Sequence, residues 1–272
     1  MKALYWFRED LRLLDNPALT EMCLQADQVA FAFVIPSGDE WSRSEQRMGE
    51  HRRRFMMESL SDLDTELNGL GHRLMILEGT PSQAIAEAAK RLECQAVYSQ
   101  KCHTEEEVRA AEELAALIPH HAIEGATLVH PDDLPFAIDD LPEIFSRFRK
   151  KVEKRGLDVR AELPVPALPA AIEGFSKHSM EWDFPTRLKG LPDSTMYFEG
   201  GAQSGWKRLE HYFWKTGALS EYKLTRNGML GWDYSSKFSP WLAWGCLSAR
   251  SIFHAIRRYE EEKEANESTY WL

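Results

Sequence analysis

Short apolar runs alternate with helical patterns through the first 130 residues of the chain. The runs are Ala3–Phe7, Val29–Ile35, Arg73–Leu77, Ala96–Ser99 and His121–Ile123. Between them lie Pro17–Gln25, a long amphipathic stretch from Ser44 to Leu67, Pro81–Leu92 and Glu105–Leu117. This alternation predicts an α/β domain over residues 1–130: a Rossmann-like, five-stranded parallel sheet. Right-handed crossovers then place helices on both of its faces. Local signals agree. Thr80 precedes Pro81 as an N-cap before a first-turn proline, Thr104 and Glu107 have capping-box spacing, and Gly69 with Gly71 closes the long helix.

Beyond residue 130 the texture changes. Pro164, Pro166, Pro169, Pro185 and Pro192 interrupt every periodic pattern between Leu163 and Gly201. Residues 131–202 are therefore expected to be a connector between domains. Helical spacing returns with Trp206, Leu209, Tyr212 and Phe213, then Pro240–Cys246 and Ser248–Glu261. The last residues, Asn266–Leu272, read as the cap and first turn of one more helix, which a single turn cannot sustain. Residues 203–272 are expected to be an incomplete helical domain, poorly packed or completed by another chain.

Composition narrows the classes. An apolar fraction of 43% with 28% charged residues describes a globular protein, and no apolar run has the ~20 residues of a membrane span. Charges at Lys2 and Arg8 break what would be the core of a signal peptide. Cys23, Cys94, Cys102 and Cys246 show no paired spacing, the thiol usage of a cytoplasmic protein. A net charge of −10 excludes indiscriminate attraction to nucleic acid, so any such contact must be a local patch.

Candidate chemistry lies at two turns. The first follows Ala3–Phe7, where a dinucleotide site would need clustered glycines, yet no glycine precedes Gly38. Arg8-Glu9-Asp10-Leu11-Arg12 through Pro17 reads instead as a buried ion-pair lattice. The second is Tyr234–Leu242, in which Ser239-Pro240 resembles a helix start preceded by Ser235, Ser236 and Lys237. Hydroxyls, a lysine and a helix N-terminus together suit a phosphate or pyrophosphate, with ordinary capping as the alternative. Arg52-Arg53-Arg54 reads as a solvated face. The run Arg147, Arg149, Lys150, Lys151, Lys154 and Arg155 reads as a surface helix. Trp206, Trp214, Trp241 and Trp244 are assigned to helical cores. No Ser/His/Asp triad, H-E-x-x-H or metal-ligand spacing emerges from the nine histidines.

Several segments resemble the photolyase/cryptochrome family in the right order over the whole chain. They are Tyr5-Trp6-Phe7-Arg8-Glu9-Asp10-Leu11-Arg12 with Asp15-Asn16, Tyr222-Lys223-Leu224-Thr225-Arg226-Asn227-Gly228, Tyr234–Leu242, and Gly245-Cys246-Leu247-Ser248. Thr127–Pro135 and Phe145–Glu153 are similar to its DASH subgroup in particular. The resemblance implies an N-terminal antenna domain and a helical domain that holds FAD. It assigns Tyr222, Ser235, Ser236, Lys237, Phe238, Ser239 and Trp271 to FAD and Arg226 to DNA. Where the family often carries an Arg-Glu-Val-like stretch toward a folate (methenyltetrahydrofolate) antenna, this chain has Lys101-Cys102-His103-Thr104-Glu105-Glu106, leaving Glu105 as the carboxylate. The implied chemistry is blue-light-driven electron transfer from reduced FAD that splits cyclobutane pyrimidine dimers, in DASH members associated with single-stranded DNA. The family continues well past Leu272, into the lesion pocket and the remaining FAD contacts. The implied partners are therefore dimer-containing DNA and the C-terminal part as a separate chain, and the 272 residues alone are expected to be inactive. Two other readings stand beside this one: a blue-light receptor without repair, and a non-flavin binding module.

Overall fold

The structure is a computed structural model. It describes residues 1–36, 48–156, 158–172, 183–189, 191, 198–228, 230–263 and 269. Strands β1 (Lys2–Phe7), β2 (Gln28–Pro36), β3 (Leu74–Gly79), β4 (Ala96–Gln100) and β5 (His120–Ile123) form one parallel sheet in the order β3-β2-β1-β4-β5. A sixth strand that the periodicity does not reveal, β6 (Ala170–Ala171), pairs with the start of β2, where β3 has not yet begun. The helices between strands are α1 (Pro17–Gln25), α2 (Glu50–Gly69), α3 (Pro81–Arg91) and α4 (Glu105–Ala115).

The two-residue period of β1 divides the core. Ala3, Tyr5 and Phe7 face α1 and α2 in one hydrophobic cluster, while Leu4 and Trp6 face α3 and α4 in another. The sheet is thus covered on both sides, as the alternating pattern requires. Helix α2 closes as expected. Gly71, at φ +84°, lets His72 N–H reach the Leu67 carbonyl and Gly71 N–H reach that of Asn68. Thr80 is the N-cap ahead of Pro81, as expected, although its side chain makes no cap bond. One capping expectation is corrected: Thr104 occupies its N-cap position without a side-chain bond, so the Thr104–Glu107 box does not form. Helix α2 begins at Glu50; Ser44–Arg47 lie outside the described residues.

The connector contains α5 (Phe145–Arg155) and α6 (Phe184–Leu188). The helical region follows as α7 (Ala202–Glu210), continued by a π turn over His211–Lys215, then α8 (Tyr222–Thr225), α9 (Ser239–Ala243) and α10 (Ala249–Lys263). Poor packing of residues 203–272 is not found among the described residues. Leu209, Tyr212, Phe213, Phe238, Trp241, Leu247, Ile252 and Tyr259 belong to the same buried cluster as Tyr5 and Phe7. Apolar surface on α7, α9 and α10 thus finds partners in α2 and its own neighbours, although Leu242 on α9 stays exposed.

Polar bonds also lock the two regions together. The start of α7 docks on α2, with Gly200 N–H donating to Glu58 (2.8 Å) and Gly201 N–H to Ser59 Oγ (3.0 Å). The loop after β1 receives the turn after α9. Leu11 N–H donates to the Trp244 carbonyl (3.0 Å) and Arg12 to that of Gly245 (2.9 Å). Arg250 grips Asp15 with both Nε (3.0 Å) and Nη2 (2.9 Å), and Ser248 donates to the same carboxylate. Within the loop, Tyr5 donates to Asp10 (2.5 Å) and Asn16 caps α1 through Leu19 N–H (3.1 Å). The anticipated buried lattice forms mostly through hydrogen bonds rather than ion pairs: Asp15–Arg250 is charge-paired, Arg12 goes to carbonyls, and Gly245, Ser248 and Arg250 enter from 233 or more residues away.

Candidate anion-binding site

The switch point of this sheet lies between β1 and β4, at the carboxyl ends where open α/β sheets usually receive ligands. Here the β1 end is filled by the Trp244–Arg250 turn. A Cβ on Gly245, at φ +64°, would collide with the Glu9 carbonyl, so glycine is required at that approach. Candidate ligand chemistry therefore shifts to the loop ahead of α9.

That loop is wrapped around one side chain. Arg208, on the last turn of α7, is 5% exposed. Its Nε donates to the Ser236 carbonyl (2.9 Å), Nη2 to those of Trp232 and Ser235 (3.1 Å each), and Nη1 to Asp233 (2.7 Å). The guanidinium also lies 4.3 Å from the Trp232 ring and 5.0 Å from that of Tyr212. A peptide carbonyl and the following N–H point in opposite directions. Carbonyls 235 and 236 turned toward Arg208 therefore send the amides of Ser236 and Lys237 the other way.

Among the described residues, no acceptor meets the amides of Ser236, Lys237, Phe238 or Ser239, or the hydroxyls of Ser235, Ser236 or Ser239. Lys237 has a left-handed backbone, φ +60°, and Phe238 follows in the right-handed region at φ −74°, ψ −13°. Such a left–right pair curls successive N–H groups into an anion-binding concavity. A non-glycine residue held there costs about 1–2 kcal/mol. One feature of the sequence reading is corrected: the N-cap of α9 is Phe238, and Ser239 is already helical, so Ser239 Oγ is free of capping.

Beneath the loop, Phe238 is buried against Tyr212 and Phe213. The Tyr212 hydroxyl is buried with no hydrogen-bond partner among the described residues. Burial, then the neighbouring Tyr222, pushes its pKa well above the usual phenol value. Tyr222 opens α8, half-buried, and Thr225 one turn on donates to the Tyr234 carbonyl (2.9 Å), tying α8 to the loop. Arg226 is exposed at the end of α8, its N–H on the Tyr222 carbonyl (2.9 Å), so the two residues sit one turn apart as their spacing indicated. A cleft of about 660 Å³ opens beside Ser239, floored by Phe55 and Trp244 and rimmed by Arg52 and Arg54.

The structure thus brings Tyr222, Ser235, Ser236, Lys237, Phe238 and Ser239 into one region. Trp271 lies outside the described residues. Glu105 stands apart, exposed at the first position of α4. The sequence reading missed Arg208, Asp233, Gly245 and Arg250. For Arg208 a signal existed: it falls on the buried stripe Gly205, Arg208, Leu209, Tyr212, and a charge within an apolar stripe needs a partner.

Donors without acceptors, a strained lysine and an orphaned tyrosine fit a diphosphate-bearing ligand such as FAD. Thiolate chemistry is disfavoured, because burial pushes the thiols of Cys23 and Cys246 up to about 11 and those of Cys94 and Cys102 to about 12. Among the described residues, no cluster of three or more His, Cys, Asp or Glu could hold a metal ion, and no helix is long and apolar enough to cross a membrane.

The family model for DNA photolyase matches residues 3–170. This chain belongs to the DNA photolyase family. Among curated relatives of this photolyase-family chain, cryptochrome DASH of Gloeobacter violaceus is 40% identical and that of Synechocystis 37%, each over 99% of the chain. A solved Synechocystis cryptochrome superposes with a TM-score of 0.89 at 34% identity, over 99% of the chain and 58% of its own. An archaeal photolyase from Sulfolobus tokodaii, solved with two FAD molecules, shares the fold at 22% identity and a TM-score of 0.73. The chain spans 56–57% of the length of the two curated relatives.

Proposed function

We propose that the protein, in a form of its relatives' length, binds FAD and uses blue light to split cyclobutane pyrimidine dimers, with single-stranded DNA as the preferred substrate. The observation that carries this reading is the donor-rich, acceptor-free loop at Ser235–Ser239, at the positions family resemblance assigns to FAD. Bound FAD would supply the light-driven electron that cleaves the dimer and takes it back. The residues of this chain would hold it: Ser235, Ser236, Ser239 and the loop amides as donors to the diphosphate, Lys237 as counter-charge, and Tyr222 packing alongside. Arg226 would contact a DNA phosphate, and Glu105 an antenna folate.

The test is repair of a dimer-bearing oligonucleotide by the full-length form under blue light. Loss of the dimer in single strands, and none in the dark, is expected. A flavin-loaded protein that repairs nothing would favour a light receptor. A protein purified without flavin would overturn the reading. By itself the 272-residue chain should lose FAD on gel filtration, because one wall of a pocket buries too little of the ligand.

A further inference from the structure

We infer that Arg208 is the positioning residue of this anion site, shaping the Ser235–Ser239 loop into a diphosphate cradle without touching the ligand. The identity of the ligand rests on the proposed function; the positioning role does not. Four of the guanidinium's N–H contacts go to residues 232, 233, 235 and 236, at 2.7–3.1 Å. Its side chain is 3% exposed, so it offers no free edge to a ligand. What it changes is the direction of its neighbours. Each carbonyl drawn inward turns the following amide outward, and the outward amides of Ser236 and Lys237 run directly into those of Phe238 and Ser239.

Two features separate this role from simple loop anchoring. A buried guanidinium needs acceptors, and acidic side chains alone could supply them; here three of the four are backbone carbonyls, two of them, Ser235 and Ser236, in the site loop and the third, Trp232, in the turn that leads into it. Second, the loop keeps Lys237 in a left-handed conformation that a relaxed lysine avoids. The aromatic rings of Trp232 and Tyr212 hold the planar fork in its orientation. A lysine would retain the charge and lose the fork, and one ammonium cannot reach three carbonyls in fixed directions.

The experiment uses this chain and inorganic pyrophosphate. Amide hydrogen exchange is measured on the wild type with and without the anion, and calorimetry on the wild type and Arg208→Lys. Pyrophosphate should slow exchange at Ser236, Lys237 and Ser239 at least tenfold, and Arg208→Lys should weaken its binding at least tenfold while the circular-dichroism spectrum stays native. Equal affinity in wild type and Arg208→Lys, or no protection of these amides in the wild type, would overturn the inference. The wild-type exchange arm can still overturn the inference if the variant fails to fold. Repeating the calorimetry with FAD on a form of the relatives' length separates the two readings. Pyrophosphate binding without any tighter binding of FAD sinks the flavin and keeps the cradle. FAD binding that ignores Arg208→Lys sinks the positioning role and keeps the flavin.

Discussion

Two polar loops meet the helical region, and they differ in how their hydrogen bonds are spent. The loop after β1 uses its charges on the protein: Asp10 on Tyr5 and its own Arg8 N–H, Arg12 on the Asp15 and Gly245 carbonyls, Asp15 on Arg250 and Ser248. The loop before α9 spends its carbonyls on Arg208 and, among the described residues, leaves the amides of residues 236–239 and its serine hydroxyls unanswered. Both are rich in polar side chains, and composition alone would rank the first, with its five charges between Arg8 and Asp15, as the more reactive. Saturation is what distinguishes a latch from a site. A buried polar group with every partner inside the protein holds structure, whereas aligned donors with none await a ligand.

The largest expected effect breaks the latch. Asp15→Ala leaves the Arg250 guanidinium buried without its carboxylate, which costs about 3–5 kcal/mol. Urea unfolding should show that loss, and a change under 1 kcal/mol would mean the network is dispensable.

Gly245→Ala comes next. The left-handed φ and the collision with the Glu9 carbonyl should together cost about 2–4 kcal/mol. Thermal melting checks this, and Gly49→Ala is the control, because a Cβ there meets nothing.

Serines sharpen the comparison further. Ser248→Ala, which strips a buried donor from Asp15, should cost about 1–3 kcal/mol. Ser235→Ala and Ser239→Ala should stay within about 0.5 kcal/mol, since neither hydroxyl has a partner to lose among the described residues. Equal losses at all three would abolish the distinction between the loops.

Smallest is a pH effect at Glu9. Burial, and then the Glu107 carboxylate, raise its pKa from 4.5 to about 7, against the pull of Arg52 and Arg8. A carboxyl raised in the fold stabilises in its protonated form, so its contribution is full below pH 4.5 and fades as pH climbs through 7. Glu9 remains partly exposed, and solvent screening keeps the effect modest. The melting-temperature advantage of Glu9→Gln should therefore grow between pH 5 and 8, and a constant advantage would place the residue's charge in open water.

Much of the fold was legible along the chain. Short, nearly continuous apolar runs gave all five main strands to within a residue or two, because a strand covered on both faces needs an apolar residue at nearly every position. The two-residue β6 carries too little pattern to announce itself. Of the candidate site, Ser235–Ser239 were legible as hydroxyls and a lysine ahead of a short helix, and Tyr222 only through the family resemblance. Arg208 left only the trace of a charge within an apolar stripe, and its partners were not legible, since three of the four are carbonyls, which every residue has.

Sequence by itself determined the parallel α/β domain, the helical character of the region after residue 202 and the polar types at both loops. Periodicity and residue chemistry are local, and these are local properties. Only the tertiary structure decided which loop is closed and which is open. That depends on Trp244–Arg250 folding back 233 residues onto the β1 loop, and on Arg208 reaching across 24 to 28 residues to turn the carbonyls of another. The direction of a peptide dipole and the presence of an acceptor opposite it exist only once distant segments have packed.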